Sequence, residues 1–305
     1  YTFTMIDAAN HLTSLQEFLR AHPKLVVLSG AGISKGSGIP TYRDSEGNWR
    51  ANEPIKHQEF VADKSRRQRY WARSLRGWPG VRDAQPNDAH RAVARLEHSG
   101  HVQQLITQNV DRLHQRAGSS RVVDLHGRLD RVVCLKCNTY SERETVQQRL
   151  QHDNPEAMTT NGEVRPDGDS DVPDSVVRDF KTPHCLNCGG VLMPDVVFFG
   201  GTVPRARVDQ CMAAIDQCDA LLVVGSSLQV YSGFRFCRRA TERQKPIALI
   251  NPGQTRADSL AALRLETHCA PLLSALVESL PGPNTMAPSA TTPAAGSYSS
   301  DIRSR

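Results

Sequence analysis

The sequence predicts an α/β protein: a doubly wound parallel sheet, interrupted by a smaller cysteine-bounded module and a helical insertion. Three observations carry this. Short apolar runs without polar alternation recur along the chain, and strands buried on both faces read this way. Segments with helical periodicity separate these runs, which is the alternation of βα units. Small, polar turns follow directly after several of the runs, where open α/β sheets place their ligands.

The elements follow in order. Residues 7–22 have helical period, with Leu12, Leu15, Phe18 and Leu19 on one face, and Pro23 ends them. Residues 24–28 are a short apolar run, read as a buried strand. Gly36, Gly38 and Pro40 keep the next stretch irregular. A very basic helix is expected over 58–76, and another over 89–98, led by Asn87 and Asp88 as its cap. Residues 102–107 and 122–125 read as strands. An apolar stretch at 191–199, a helix over 204–217, a strand at 220–224, a helix near 232–243 and a strand at 246–250 complete the alternation. The segment 153–174 is rich in Asp, Pro, Gly and Asn and is expected to be an exposed loop. From 281 the chain is Pro, Ala, Ser, Thr and Gly, the composition of a disordered tail.

Composition narrows the function classes. The 305 residues carry a net charge of +5. The arginines are dispersed, as on a solvated surface that tolerates acidic substrates or phosphates. No dense basic stripe points to direct nucleic-acid binding. No apolar run approaches the roughly 20 residues that span a bilayer, and the first residues do not read as a signal peptide. The expected location is cytoplasmic, or mitochondrial if a leader has been removed. Four of the eight cysteines (Cys211, Cys218, Cys237, Cys269) are scattered, which suits a reducing compartment.

The other four cysteines carry chemistry. Cys134-Leu-Lys-Cys137 and Cys185-Leu-Asn-Cys188 form two knuckles. Together they supply a tetrahedral thiolate shell for one Zn2+, with no position open to substrate, so the metal is structural.

A second constellation sits at strand ends. The run 24–28 leads into Ser29-Gly30-Ala31-Gly32-Ile33-Ser34. Strand, glycine turn and helix start are the geometry of a dinucleotide site. The spacing departs from the usual fingerprint, because the next glycine is Gly36, so a plain tight turn is the alternative. Gly225-Ser226-Ser227 and Asn251-Pro252-Gly253 follow other strands and can converge on the same extended ligand. Thr107-Gln108-Asn109-Val110-Asp111 supplies amides and a carboxylate suited to a carboxamide. His126, beside Gly127 at another strand end, is a candidate general base.

Taken in this order, the pieces resemble the sirtuins, NAD-dependent protein lysine deacylases. The resemblance spans about 10–280 and rests on Gly30-Ala-Gly-Ile-Ser34, Gly38-Ile-Pro-Thr-Tyr-Arg43, Thr107-Gln-Asn-Val-Asp111, Leu125-His-Gly127, the cysteine pairs, Pro194-Asp-Val-Val-Phe-Phe-Gly200, Gly225-Ser-Ser-Leu-Gln-Val230 and Asn251-Pro-Gly253. Pro54-Ile-Lys-His57, Arg67-Gln-Arg-Tyr-Trp-Ala-Arg73 and Gly77-Trp-Pro79 are similar to the class II branch, which holds mitochondrial lipoamidase-type enzymes and bacterial relatives.

The resemblance implies a Rossmann-like NAD-binding domain from 1–128 and 190–280, a helical insertion at about 50–80, and a zinc-binding domain at 129–189. It implies NAD contacts from Gly30, Ala31, Gly32, Ile33, Tyr42, Arg43, Gln108, Asn109, Asp111, Gly225, Ser226, Ser227, Asn251, Gly253 and Cys269. His126 would be the catalytic base, with Asn109 and Asp111 as further catalytic residues. Val196, Val197, Phe198 and Gly200 would bind the substrate peptide as an added strand and line an acyl-lysine tunnel. Tyr70 and Arg73, at i and i+3, would meet an acyl carboxylate, or else are a packed tyrosine and a surface arginine. Implied partners are acyl-lysine proteins, with the chain a monomer. The alternatives are ADP-ribosyl transfer or NAD hydrolysis, and a zinc-containing scaffold without catalysis.

Overall fold

The computed structural model describes residues 5–41, 54–158 and 172–280. Its first half runs α1 (Met5–Ala21), β1 (Leu25–Ser29), α2 (Ala31–Ser34), α3 (His57–Ala62), α4 (Lys64–Asp83), α5 (Asp88–His98), β2 (Val102–Thr107), α6 (Leu113–Arg116) and β3 (Val122–Asp124). There follow β4 (Gly127–Cys134), β5 (Tyr140–Glu142), α7 (Arg143–Asp153), α8 (Asp174–Arg178) and β6 (Leu192–Val196). The chain closes with α9 (Arg205–Gln217), β7 (Ala220–Val224), α10 (Tyr231–Glu242), β8 (Ile247–Ile250), β9 (Leu263–Leu265) and α11 (Cys269–Ser279).

The main sheet has the order β3-β2-β1-β7-β8-β9, and every pairing in it is parallel. Written by position in this sheet, that is the doubly wound order 3-2-1-4-5-6. The central strands are buried on both sides because their side chains alternate between two cores. Val27, Leu105, Leu222 and Ile250 face one core, shared with α1, α5 and α11. Val26, Leu28, Ile106, Leu221, Val223 and Leu249 face the other, shared with α9 and α10. This is why the strands read as continuous apolar runs.

A second sheet, β5-β4-β6, is antiparallel. It packs with α4, α7 and α8 in a separate core around Phe60, Trp71, Val132, Val146 and Phe180. No helix among the described residues is long and apolar enough to cross a membrane.

Several expectations change. The basic helix over 58–76 is two helices. Asp63 breaks it by capping α4, accepting from Ser65 N at 2.7 Å. The second helix continues through Pro79 to Asp83. A proline removes the donor that Leu75 O would have met. Gln147 of α7 takes that place, its Nε2 donating to Leu75 O at 2.7 Å. Arg143, also from α7, lies over the rings of Trp78 and Trp71 at 4.9 and 5.4 Å.

The segment 153–174 is not an exposed loop at its start. Asn154 is fully buried and accepts from Lys181 N at 2.7 Å, and Ala157 packs in the core of the small module. Residues 159–171, and the expected tail from 281, lie outside the described residues. The elements β4, β5, α7, β9 and α11 were not expected from sequence.

Candidate functional site

The doubly wound order reverses between β1 and β7, and ligands of such sheets bind beyond the strand ends at that point. A cleft of about 980 Å³ opens there. Its lining includes Gly30, Ala31, Gly32, Gln108, Asn109, His126, Gly225, Ser226, Ser227, Asn251, Gly253 and Cys269. The three polar turns do converge on one space. Ile33 does not reach it, being buried in the main core. Tyr42 and Arg43 lie outside the described residues.

The glycines have a reason that sequence reading did not supply. The turns after β1 and β7 interlock. A Cβ on Gly32 would stand 2.7 Å from Gly225 O, and one on Gly225 would stand 2.5 Å from Ile33 N. Gly225 also has φ +59, where a side chain is strained. The N–H groups of Gly30 and Gly32 are both spent on this junction, donating to Val224 O at 3.2 Å and Gly225 O at 2.8 Å. These two N–H groups are therefore not free to meet a pyrophosphate. Ser226 is better placed. Its Oγ accepts from Gln108 Nε2 at 2.8 Å and Leu228 N at 3.3 Å, which leaves its own proton to donate into the cleft.

The run 107–111 is fixed by a hydrogen-bond relay. Asn109 Nδ2 donates to Gly30 O at 3.2 Å and to Ser34 Oγ at 3.0 Å. Ser34 Oγ donates to Asp111 Oδ2 at 2.7 Å. Asp111 is buried behind the cleft and does not line it. Burial raises its pKa, against the hydrogen bonds from Leu113 N and Ser34. Its place is to hold the loop and Ser34, with Asn109 facing the cleft.

His126 sits between β3 and β4. Its Nδ1 lies 3.0 Å from Gln108 O and its Nε2 2.7 Å from Ser232 Oγ. A carbonyl only accepts, so Nδ1 carries the proton and Nε2 the lone pair. Ser232 then donates to Nε2. Burial pushes the imidazole down to about 4, with Arg207 and Arg235 acting in the same direction and the Gln108 carbonyl against them. At neutral pH the ring is uncharged and basic at the nitrogen facing Ser232. Gly127 is obligatory beside it: its φ is +86, and a Cβ would stand 2.1 Å from Asp195 O. Ser232, on the first turn of α10, was missed. A hydroxyl several elements away from a histidine leaves no local signal.

The opposite wall comes from the end of β6. Val196, Val197, Phe198 and Gly200 all line the cleft. Val197 N donates to His126 O at 2.7 Å, and Gln58 Nε2 donates to Gly200 O at 2.9 Å. Tyr70 lines the cleft and packs edge-on against Phe60, Trp71 and Phe198. Arg73 is not a surface arginine, at 8% exposed, and it does not line the cleft. The pair is brought to one helix, but only Tyr70 faces the cavity.

The four cysteine sulfurs gather at the tip of the small sheet, all within 4.8 Å of one another. Cys134 Sγ is 3.5 Å from Cys188 Sγ, and Cys137 Sγ is 3.7 Å from Cys185 Sγ. A tetrahedron of thiolates around Zn2+ has edges of roughly 3.8 Å, so the donor set fits one zinc. It lies apart from the cleft, and none of its cysteines lines it.

Fold and site together define an α/β protein of the dinucleotide-binding type, with a buried neutral histidine at its cleft and a four-cysteine cluster suited to a metal. A family model described as the Sir2 family matches residues 30–232. An "NAD-dependent protein deacetylase 2" from Bradyrhizobium diazoefficiens is 51% identical over 87% of this chain and 97% of its own length. The human "NAD-dependent protein lipoamidase sirtuin-4, mitochondrial" is 47% identical over 85% of this chain and 83% of its own. Among solved structures, a mutant Sir2 homologue complexed with ADP-ribose superposes with a TM-score of 0.68 at 32% identity, covering 87% of this chain and 94% of that one. The complex described as "Sir2-p53 peptide-NAD+" gives 0.71 at 26%, covering 88% and 97%. The chain belongs to the Sir2 family.

Proposed function

We propose that this protein is an NAD-dependent protein lysine deacylase that releases nicotinamide and O-acyl-ADP-ribose. His126 carries the reading: a neutral imidazole, its tautomer fixed by the Gln108 carbonyl, with its basic Nε2 at a cleft built from nucleotide-type turns on one side and 196–200 on the other. Bound NAD would supply an electrophilic ribose carbon for the acyl oxygen of the lysine amide, with nicotinamide as the leaving group.

The chain's residues do the rest. Ser226 and Ser227 offer hydroxyls to the cofactor beside the Gly30–Gly32 and Gly225 turns. Asn251, Gly253 and Cys269 take its adenosine half, and Gln108 and Asn109 take its nicotinamide end, with Asp111 holding that loop. Tyr42 and Arg43 belong to the same pocket in this reading. His126 Nε2 accepts the proton of a ribose hydroxyl and so makes it a nucleophile toward the acyl carbon. Residues 196–200 hold the peptide alongside β6, and Tyr70 with Phe198 shapes the acyl tunnel and excludes water. The zinc contributes folding and no catalytic step. The two sheets are the two domains of this reading, 1–128 with 190–280 and 129–189. A monomer in a reducing, cytoplasmic setting completes this reading, with the four cysteines outside the zinc cluster as unbridged thiols.

Mass spectrometry of peptides carrying acetyl-, succinyl-, glutaryl-, methylglutaryl- and lipoyl-lysine, with and without NAD, tests the reading. Wild type should remove at least one acyl group only with NAD, and His126→Ala should lose about 10²-fold or more of that rate. Nicotinamide release with no peptide deacylated would instead establish ADP-ribosyl transfer or NAD hydrolysis. No nicotinamide release would leave a scaffold.

A further inference from the structure

At the outer end of the cleft, past Ser232, the first turn of α10 presents Tyr231, which is 48% exposed. Three guanidinium groups surround it. Arg238 Nη1 donates to the Tyr231 hydroxyl at 3.3 Å. Arg235 and Arg256 lie over the Tyr231 ring at 5.4 and 6.0 Å, and Arg256 also covers Phe234 at 4.4 Å. Tyr231 and Arg235 both line the cleft.

Two of these arginines, Arg235 and Arg256, differ from the paired arginines of the protein. Arg112, Arg131, Arg239, Arg243 and Arg264 are each matched to a carboxylate. Among the described residues, Arg235 and Arg256 have no ion pair. Arg235 Nε is buried with no hydrogen-bond acceptor. The aromatic faces meanwhile hold both guanidiniums in place, so less side-chain entropy is lost on pairing. The other charged groups at this end are Glu242, shared between Arg238 and Arg239 at 4.0 and 3.9 Å, and Arg207 beside His126. Glu266 and Lys35 line the cleft with opposite signs. The local balance is positive.

We propose that this arginine rim is a docking surface for acidic residues flanking the acylated lysine of the protein substrate, with Arg235 and Arg256 as their partners. The proposal rests on the deacylase reading and adds a substrate class to it: acidic segments. The chemistry is carboxylate–guanidinium pairing at a partly exposed site, which salt screens.

The test compares acyl-lysine peptides with Asp or Glu flanks against the same peptides with Asn or Gln, by fluorescence anisotropy without NAD and by turnover with NAD. The acidic peptides should bind about 5-fold tighter at low salt, and the gap should close to about 2-fold or less at high salt. Arg235→Gln should narrow the gap. Arg256→Glu, at an exposed position, should abolish or invert it, which keeps the test decisive if the half-buried Arg235 variant fails to fold. Equal binding of acidic and amide peptides by wild type overturns the docking surface. So does an Arg235→Gln variant with a raised KM for NAD and an unchanged peptide preference, since the arginine would then serve cofactor phosphate. Turnover without acidic preference removes the docking surface alone. No NAD-dependent turnover of either peptide removes the deacylase reading and the docking surface with it.

Discussion

Ser232 is the residue that meets the lone pair of the buried His126 imidazole. Its hydroxyl donates to the His126 lone pair at 2.7 Å, and a hydrogen bond to the neutral form disfavours protonation. Ser232→Ala should therefore raise the His126 pKa, and Ser232→Thr should restore it. An NMR titration of the imidazole reads this directly. Identical titration of wild type and Ser232→Ala would show that the hydroxyl does not act on the ring. His126 itself was legible as a candidate because it follows an apolar run and precedes a glycine. Its tautomer was not, because Gln108 O and Ser232 Oγ come from other elements. Arg73 was misplaced for a similar reason: a helix pattern says which residues share a face, but not whether that face meets solvent or a core.

At the scale of elements, the zinc module is the part whose order depends on a ligand. Two of its three strands are short, and the four cysteines clamp the end of β4 to the turn before β6. Chelation of zinc should raise amide exchange across 127–153 and 172–196, while β1 and β7 remain protected in the main core. Hydrogen-exchange mass spectrometry of the two states measures it. Uniform exchange in both sheets would mean that one cooperative unit spans the molecule. The helix α4 shows where propensity misleads at this scale. Pro79 should stop a helix, yet Gln147 satisfies Leu75 O and Arg143 fills the space between two tryptophans. Tertiary partners override the local breaker.

At the scale of the whole molecule, three imidazoles are held neutral by burial. His90 and His126 are each pushed down to about 4, and His114 falls well below its usual value. Below about pH 6.5 the unfolded chain binds these protons and the folded chain does not. Stability should fall as pH drops from about 6.5 toward 4, by up to about 1.4 kcal/mol per pH unit for each group. Urea unfolding at pH 7.5 and at pH 5 tests this, and equal midpoints would contradict it.

The sequence by itself determined the parallel core strands, the converging turns, the cysteine quartet and the histidine. Each rests on a local rule: burial on both faces, small residues at strand ends, ligand spacing. Only the tertiary structure decided that Gly30 and Gly32 spend their N–H groups on the β7 turn and that Asp111 stands behind the cleft. The same holds for Ser232 on the His126 ring and for the two arginines without an ion pair at the mouth. These depend on which distant elements the doubly wound order places side by side. A sequence records what each residue can donate or accept, and packing alone determines which partner it meets.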